Sequence, residues 1–111
     1  MNIISLEKIS EFIDDAKGKP WEYRYQLIEN DSFTPWGGNM FKPSDAYIEY
    51  DCYMSHYDEI KEIQINPIES KYIGKLVANK IFDHTKDVCV VLEDLKIGYE
   101  IINYLVTIKL H

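Results

Sequence analysis

The spacing of apolar residues changes abruptly at Pro20, and this change limits the chain to folds that combine helices with strands. Before the proline, apolar residues recur at the helical spacing of three or four positions. After it, in the stretch WEYRYQLIE, they recur at every second position, which is the period of a strand with one buried face. The sequence therefore predicts the α+β class, with an antiparallel sheet packed on one side by helices.

Residues 5–17 are predicted to form an amphipathic helix. Its apolar face consists of Leu6, Ile9, Phe12, Ile13 and Ala16. Ser5 is a suitable N-cap and Gly18 a suitable C-terminal stop, because glycine accepts the left-handed conformation that ends many helices.

Three strands are predicted next, and they favour an antiparallel meander because they follow one another closely. They comprise WEYRYQLIE, residues 46–55, and the stretch IKEIQIN that ends at Pro67. In the second strand, alternation places Ala46, Ile48, Tyr50, Cys52 and Met54 on the core face. Residues 30–45, with two prolines and two glycines, are interpreted as a long loop.

The C-terminal third is less clearly patterned. Residues 70–82 fit a helix, although Gly74 weakens that prediction. Two interpretations stay open for residues 86–111. In one, 86–97 form a helix stopped by Gly98 and 99–110 form a strand that points Ile102, Tyr104, Val106, Ile108 and Leu110 inward. In the other, DVCVVLE is a strand and the rest a helix. The β-branched run in VTIKL favours the first.

Length and composition predict one domain over residues 1–111. Hydrophobic residues make up 46% of the chain, which is enough for a single core. No stretch approaches the ~20 apolar residues that span a bilayer, and the N-terminus lacks the basic region of a signal peptide. We therefore expect a cytoplasmic protein with no membrane contact, in which Cys52 and Cys89 are reduced and buried.

The net charge of −7 is concentrated in one stretch of the sequence. Residues 45–62 carry six acids and one base, residues 1–44 carry seven acids and five bases, and residues 63–111 carry six of each. The chain has one arginine and no basic stripe, so it does not fit a protein that binds nucleic-acid phosphates directly. An acidic surface instead attracts basic partners by long-range steering.

The predicted strand over residues 46–55 turns alternating tyrosines and acids toward solvent. Exposed tyrosines are typical of protein interfaces, because they bury area and keep a hydroxyl for hydrogen bonding. Acids beside them pair with Lys or Arg on a partner. A structural role, with the tyrosines packed beneath a helix or loop, stays equally open. The interface hypothesis predicts that the partner contacts Trp36, Tyr47, Glu49, Asp51, Tyr53, Tyr57, Asp58 and Glu59.

The sequence lacks the motifs of common enzymes, including nucleophile elbows, phosphate-binding loops and zinc-protease helices. Cys52 or Cys89 with His56 or His84 would supply a nucleophile pair, but cysteines that face a core are inert. Asp51 and Cys52 would point to opposite faces of a strand and would not share one metal ion. We expect a protein with no catalytic residue, no metal and no cofactor.

The ending GYEIINYLVTIKLH is similar to the close of some immunity proteins against tRNA-cleaving colicins. More broadly, the acidic and aromatic composition resembles small bacterial immunity proteins, which act on nuclease toxins of the colicin and contact-dependent-inhibition types. The resemblance implies a non-enzymatic inhibitor whose carboxylates replace nucleic-acid phosphates in the basic cleft of a toxin. It implies a basic protein partner but transfers no individual binding residue.

Two other classes of function fit the same sequence. A phage-encoded anti-defence protein that mimics nucleic acid would have the same electrostatics and a different partner. A small-molecule-binding or enzymatic α+β domain would use residues 30–45 as a lid over a pocket lined by tyrosines.

Overall fold

Two helices and nine strands make up the part of the chain that the computed structural model describes, which is residues 6–37, 40–44, 46–50 and 53–110. In chain order the elements are α1 Leu6–Ala16, β1 Glu22–Leu27, β2 Met40–Ser44, β3 Tyr47–Tyr50, β4 Tyr53–His56, a 3₁₀ turn Tyr57–Glu59, β5 Ile60–Asn66, β6 Ile68–Lys71, β7 Lys80–Asp83, α2 Thr85–Asp94, β8 Glu100–Ile102 and β9 Leu105–Lys109. This is an α+β fold with antiparallel sheets, as the sequence predicted.

Four strands form the main sheet in the order β1–β5–β9–β8, and every neighbouring pair is antiparallel. Tyr23 of β1 is in register with Ile65 of β5, which is in turn in register with Val106 of β9. Buried side chains of the three strands therefore line up in rows on one face. α1 and α2 add Ile9, Phe12, Ile13, Val88 and Leu92 to the same core.

Helix α1 confirms the first predicted element. The four residues that it buries are Ile9, Phe12, Ile13 and Ala16, which are members of the predicted apolar face. Gly18 has a φ of 82°, and the amide of Lys19 donates to the carbonyl of Ala16, so the helix ends in the left-handed turn that glycine permits. Ser5, the predicted N-cap, lies outside the described residues.

The predicted meander is wrong in its pairing. β1 pairs directly with β5, so the two strands that enclose residues 46–55 are neighbours in one sheet. β2, β3 and β4 form a separate three-stranded sheet. The loop predicted over residues 30–45 therefore contains a strand, and it also forms isolated bridges from Phe33 and Gly37 to β1.

Residues 46–55 form a hairpin rather than the single predicted strand. Tyr50 is in register with Tyr53, and Ile48 with Ser55. The inner positions therefore have even residue numbers in β3 and odd residue numbers in β4. Ile48 is buried as predicted, but Met54 is 63% exposed and Ser55 takes the inner position. The antiparallel pairing of β3 with β4 therefore shifts the inward set by one position. Cys52 lies outside the described residues.

The helix predicted for residues 70–82 is wrong, because this stretch belongs to the β6–β7 hairpin. Glu69 pairs with Phe82 and Lys71 with Lys80. The helical spacing of Ile73, Leu76, Val77 and Ile81 has no core to face, since all four side chains are exposed. The periodicity of apolar residues predicted a helix here, but the described part of the fold offers no surface against which such a helix could be buried.

The C-terminal region follows the first interpretation, with two corrections. α2 ends at Asp94, and the left-handed residue that follows is Lys96, with a φ of 58°, rather than Gly98. The predicted strand over 99–110 is a hairpin, since Asn103 and Tyr104 both have positive φ and turn the chain. The predicted inward positions of Val106 and Ile108 in β9, and of Leu110 directly after it, are confirmed by their burial. The predicted inward positions of Ile102 and Tyr104 are wrong, because these residues are 40% and 59% exposed.

Tyr23 leads to a prediction about stability and pH. Its hydroxyl is buried and has no hydrogen-bond partner among the described residues, and burial raises its pKa. An unpaired buried polar group costs about 1–3 kcal/mol. Tyr23→Phe should therefore keep or raise the free energy of unfolding at neutral pH, as measured by urea denaturation.

The same substitution should change the alkaline limb of the stability curve. An unfolded tyrosine loses its proton near pH ~10, whereas folded Tyr23 retains it, so the unfolded state binds fewer protons and stability falls as pH rises. Tyr23→Phe should flatten this fall, and Tyr104→Phe, at a 59% exposed position, is the matched control. A clear loss of stability in Tyr23→Phe at neutral pH would show that the hydroxyl is paired.

Candidate functional site

The β3–β4 hairpin carries most of the predicted binding residues, and its inner face is fixed to the core. Ile48 has no exposed surface. Ser55 lies with its hydroxyl 2.8 Å from the hydroxyl of Tyr25 on β1, a hydrogen bond that joins the two sheets. At the end of the hairpin, the amide of Tyr57 donates to the carbonyl of Ala46 at 2.7 Å. Burial of Ile48 and the bond between Ser55 and Tyr25 therefore anchor the inner face of the hairpin to the core.

The opposite face of the hairpin is open to solvent. Tyr47 is 44% exposed and packs edge-on against the His56 ring, with ring centroids 5.1 Å apart. Met54, two residues before His56, is 63% exposed and is in backbone register with Glu49. An aromatic ring and a flexible thioether beside each other are suited to apolar contact with another protein.

Two exposed carboxylates follow this face directly. Asp58 and Glu59 lie in the 3₁₀ turn between β4 and β5, and both are exposed. The turn is ordered by His56, whose Nδ1 accepts a hydrogen bond from the Asp58 amide at 3.2 Å. Exposed carboxylates at the end of an apolar surface attract cationic side chains of a partner.

Tyr57 corrects one member of the predicted set. It was expected to contact a partner, but its side chain is 6% exposed and belongs to the core. Burial and the nearby charge of Asp58 raise its pKa. The first residue of the 3₁₀ turn points inward to anchor the turn, while the next two point outward.

The other predicted residues fall into two groups. Tyr47, Asp58 and Glu59 are exposed and lie on or beside the hairpin. Glu49 lies in β3 and Tyr53 in β4, and for these two residues the structure describes the backbone alone; Asp51 lies outside the described residues. We refer to Tyr47, Met54, Asp58 and Glu59 as the hairpin surface.

Trp36 lies on the main sheet, where it packs against Arg24. The guanidinium carbon of Arg24 is 4.4 Å from the centroid of the Trp36 ring and 4.3 Å from that of Phe33. Its Nε donates to Oε1 of Gln64 at 2.8 Å, and Gln64 contacts the hydroxyl of Thr107 at 3.5 Å. The Arg24 guanidinium thus holds the loop after β1 against the face of the main sheet.

The position of Arg24 was missed by reasoning from the sequence. The available signal was an arginine at an outward position of an alternating strand, followed by Phe33 and Trp36 in a loop. Guanidinium groups stack readily on aromatic faces. Trp36 is therefore part of a structural clamp, and its contact with Arg24 explains why a surface loop carries large aromatic residues.

A family comparison places this chain among known sequences. The profile of a family of unknown function (DUF6678) matches residues 1–109. The chain belongs to this family. No curated protein and no solved structure gives a significant match.

The DUF6678 chain does not bring metal-binding groups together in its described part. Within residues 6–37, 40–44, 46–50 and 53–110, no three His, Cys, Asp or Glu side chains are placed to share an ion. His84 is held by Glu69, with Nε2 and Oε1 3.0 Å apart, at the base of the β6–β7 hairpin. No helix in the same ranges is long and apolar enough to cross a bilayer.

The cysteine prediction for this DUF6678 protein needs one correction. Cys89 was expected in the core, but it is half-buried on α2. Hydrogen bonds with Cys89 and with Glu93 raise the pKa of Tyr99, whose hydroxyl donates to the Glu93 carboxylate at 2.7 Å. These contacts tie the chain after α2 back onto the helix.

Proposed function

We propose that this protein is a non-enzymatic inhibitor, an immunity protein that binds a basic nuclease toxin domain through the hairpin surface. The observation that carries the proposal is an anchored hairpin that presents Tyr47 and Met54 to solvent, directly followed by the exposed Asp58 and Glu59. This surface lies in the most acidic stretch of the chain, residues 45–62.

Anchoring supports tight binding by this surface. The inner side of the hairpin is fixed by burial of Ile48 and by the hydrogen bond between Ser55 and Tyr25, so little conformational freedom is lost when a partner docks. Tyr47 and Met54 supply apolar contact area that slows dissociation. The turn that carries Asp58 and Glu59 is ordered by the hydrogen bond from the Asp58 amide to His56, and both acids are exposed to solvent.

Electrostatics supports a nuclease as the partner. Active-site clefts of nucleases are basic because they bind phosphates, and the carboxylates of Asp58 and Glu59 would occupy such a cleft in place of the nucleic acid. The net charge of −7 steers a cationic domain toward the inhibitor and raises the association rate.

Reversing the two charges tests the proposal. Asp58→Lys combined with Glu59→Lys should lower about 10-fold or more the rate of association with the basic toxin domain that the proposal expects to be encoded beside this gene. Asp14→Lys combined with Asp15→Lys, a pair of exposed acids on α1, makes the same change in net charge and is the matched control. Stopped-flow association at several ionic strengths measures both variants, and the wild-type rate should fall with added salt.

Two results would contradict the proposal. If both double variants slow association equally, net charge alone steers the partner and the hairpin surface is not the contact. If the neighbouring protein is acidic or does not bind, the partner class is wrong. Both variants should unfold at nearly wild-type denaturant concentrations, since surface changes usually stay within about 0.5 kcal/mol.

A further inference from the structure

The hydrogen bond between His56 and the 3₁₀ turn fixes where the imidazole ring carries its proton. Nδ1 of His56 lies 3.2 Å from the backbone nitrogen of Asp58. A backbone N–H group is only a donor, so Nδ1 must be the acceptor and carries no proton. A neutral imidazole has one N–H, and that proton must therefore be on Nε2. The turn, as the structure shows it, requires this one neutral tautomer of His56.

The side chain of Asp58 lies close to the same ring nitrogen. Its Oδ2 is 3.7 Å from Nδ1 of His56. While the ring is neutral, Nδ1 has no proton to share with this carboxylate. A proton on Nδ1 would make the ring cationic and turn the same approach into an ion pair. Nδ1 therefore has two partners in Asp58, the amide when the ring is neutral and the carboxylate when it is charged.

The surroundings of His56 allow the ring to change its charge. Among the described side chains, the titratable groups in contact with it are Tyr47 from β3, which packs edge-on, and Asp58 from the turn. The His56 side chain is 31% exposed, so solvent has access to it. Histidine is the side chain that changes charge between about pH 5 and 8. Mild acid should therefore exchange one set of contacts at Nδ1 for the other.

We propose that His56 is a positioning residue for the hairpin surface and orders the turn for binding in its neutral form alone. Protonation removes the acceptor of the Asp58 amide and draws the Asp58 carboxylate onto the ring. Both changes act in the same direction, because the turn loses its cap and a positive charge offsets one of the two carboxylates. The inference rests on the proposed function for its consequence, which is that the basic partner is held at neutral pH and released in mild acid.

Nuclear magnetic resonance of the protein without a partner tests the cap itself. Long-range ¹H–¹⁵N spectra distinguish protonated from unprotonated ring nitrogens, and at pH ~8 they should show the His56 proton on Nε2. As the pH falls, the amide signal of Asp58 should shift with the same midpoint as the His56 ring. His84 is the internal control, because its contacts are with Glu69 and Asp87 and its titration should not move the Asp58 amide.

Two substitutions separate the acceptor from the ring. The side-chain oxygen of asparagine accepts an amide hydrogen bond two residues further along the chain and does not titrate. His56→Asn should therefore keep the turn capped and make the Asp58 amide signal insensitive to pH in the range of histidine titration. His56→Ala removes the acceptor, so its Asp58 amide signal should resemble that of the wild type in acid at every pH.

Binding to the basic toxin domain tests the consequence. Between pH ~8 and ~5.5, the dissociation constant of the wild type should rise about 3–10-fold more than that of His56→Asn. Titration of the partner and of other acids affects both proteins alike, so the comparison isolates His56. At neutral pH, His56→Ala should bind more weakly than the wild type, and His56→Asn should restore binding. A role limited to ring packing on Tyr47 would give no such recovery, because asparagine has no ring.

This inference and the proposed function fail in different experiments. A His56 proton on Nδ1 at neutral pH, or an Asp58 amide that does not follow the His56 titration, overturns the inference and leaves the inhibitor function standing. Binding with the same pH dependence in the wild type and His56→Asn also overturns it. If the toxin domain binds at no pH, the proposed function is wrong and release in acid is wrong with it, whereas the spectra of the free protein still decide whether His56 caps the turn.

Discussion

Replacing Trp21 with alanine should lower the free energy of unfolding by about 3–5 kcal/mol, the range for removing a large aromatic side chain from a core. Trp21 is 2% exposed and stacks on Phe12 of α1, with ring centroids 6.4 Å apart and planes 13° from parallel. Phe12 in turn packs edge-on against Tyr23 of β1. The indole therefore joins the helix to the sheet, and its loss leaves a cavity between the two layers.

Urea denaturation followed by far-UV circular dichroism measures this loss. Trp36→Ala is the matched control, because it removes the other tryptophan from a half-buried position on Arg24. Loss of that cation–π contact should cost about 0.5–1 kcal/mol. Equal losses in the two variants would show that the loop after β1 is as much a part of the core as Trp21 is.

Elements that depend on local spacing were predictable from the sequence. α1 and β1 each have a clear period, and their buried faces consist of residues selected by that period, such as Ile9 and Phe12 in the helix and Tyr23 and Tyr25 in the strand. Capping also acts locally, so the stop at Gly18 could be read directly. In these segments the side chains and the backbone preferences favour the same structure.

Pairing between distant segments was not predictable in the same way. β1 pairs with β5 across more than thirty intervening residues, which include the separate sheet of β2, β3 and β4. The spacing of apolar residues within either strand does not specify this partner. The β6–β7 hairpin shows the converse problem. Ile73, Leu76, Val77 and Ile81 have helical spacing but remain exposed, so a period predicts a helix only if a face is available to bury it.

The candidate site was predictable in part, for a similar reason. Alternation placed Tyr47 outward, and proximity to a turn indicated exposed acids at Asp58 and Glu59. In the observed register, however, Met54 lies opposite Glu49 and is exposed, so it belongs to the outer face rather than to the predicted core face. Tyr57 was assigned to the surface because of its neighbours, whereas the first position of the 3₁₀ turn points into the core.

Replacing Ile48 with alanine should both destabilise the protein and weaken partner binding. Ile48 has no exposed surface, and truncation of a buried isoleucine costs about 2–5 kcal/mol. It lies beside Tyr47 in β3 but points to the opposite face. Its loss should loosen the hairpin on the main sheet while the charges and side chains of the hairpin surface stay the same.

The informative comparison is with Tyr47→Ala, which removes an exposed neighbour. That variant should unfold within about 1 kcal/mol of the wild type, yet speed dissociation from the partner, because a 44% exposed aromatic ring contributes more to an interface than to the core. Ile48→Ala should instead speed dissociation in proportion to its lost stability. Urea denaturation and the dissociation rate, measured on both variants, separate the two effects. If Ile48→Ala lowers stability and leaves the dissociation rate unchanged, binding does not depend on how the hairpin is anchored, and the proposed contact must lie elsewhere on the protein.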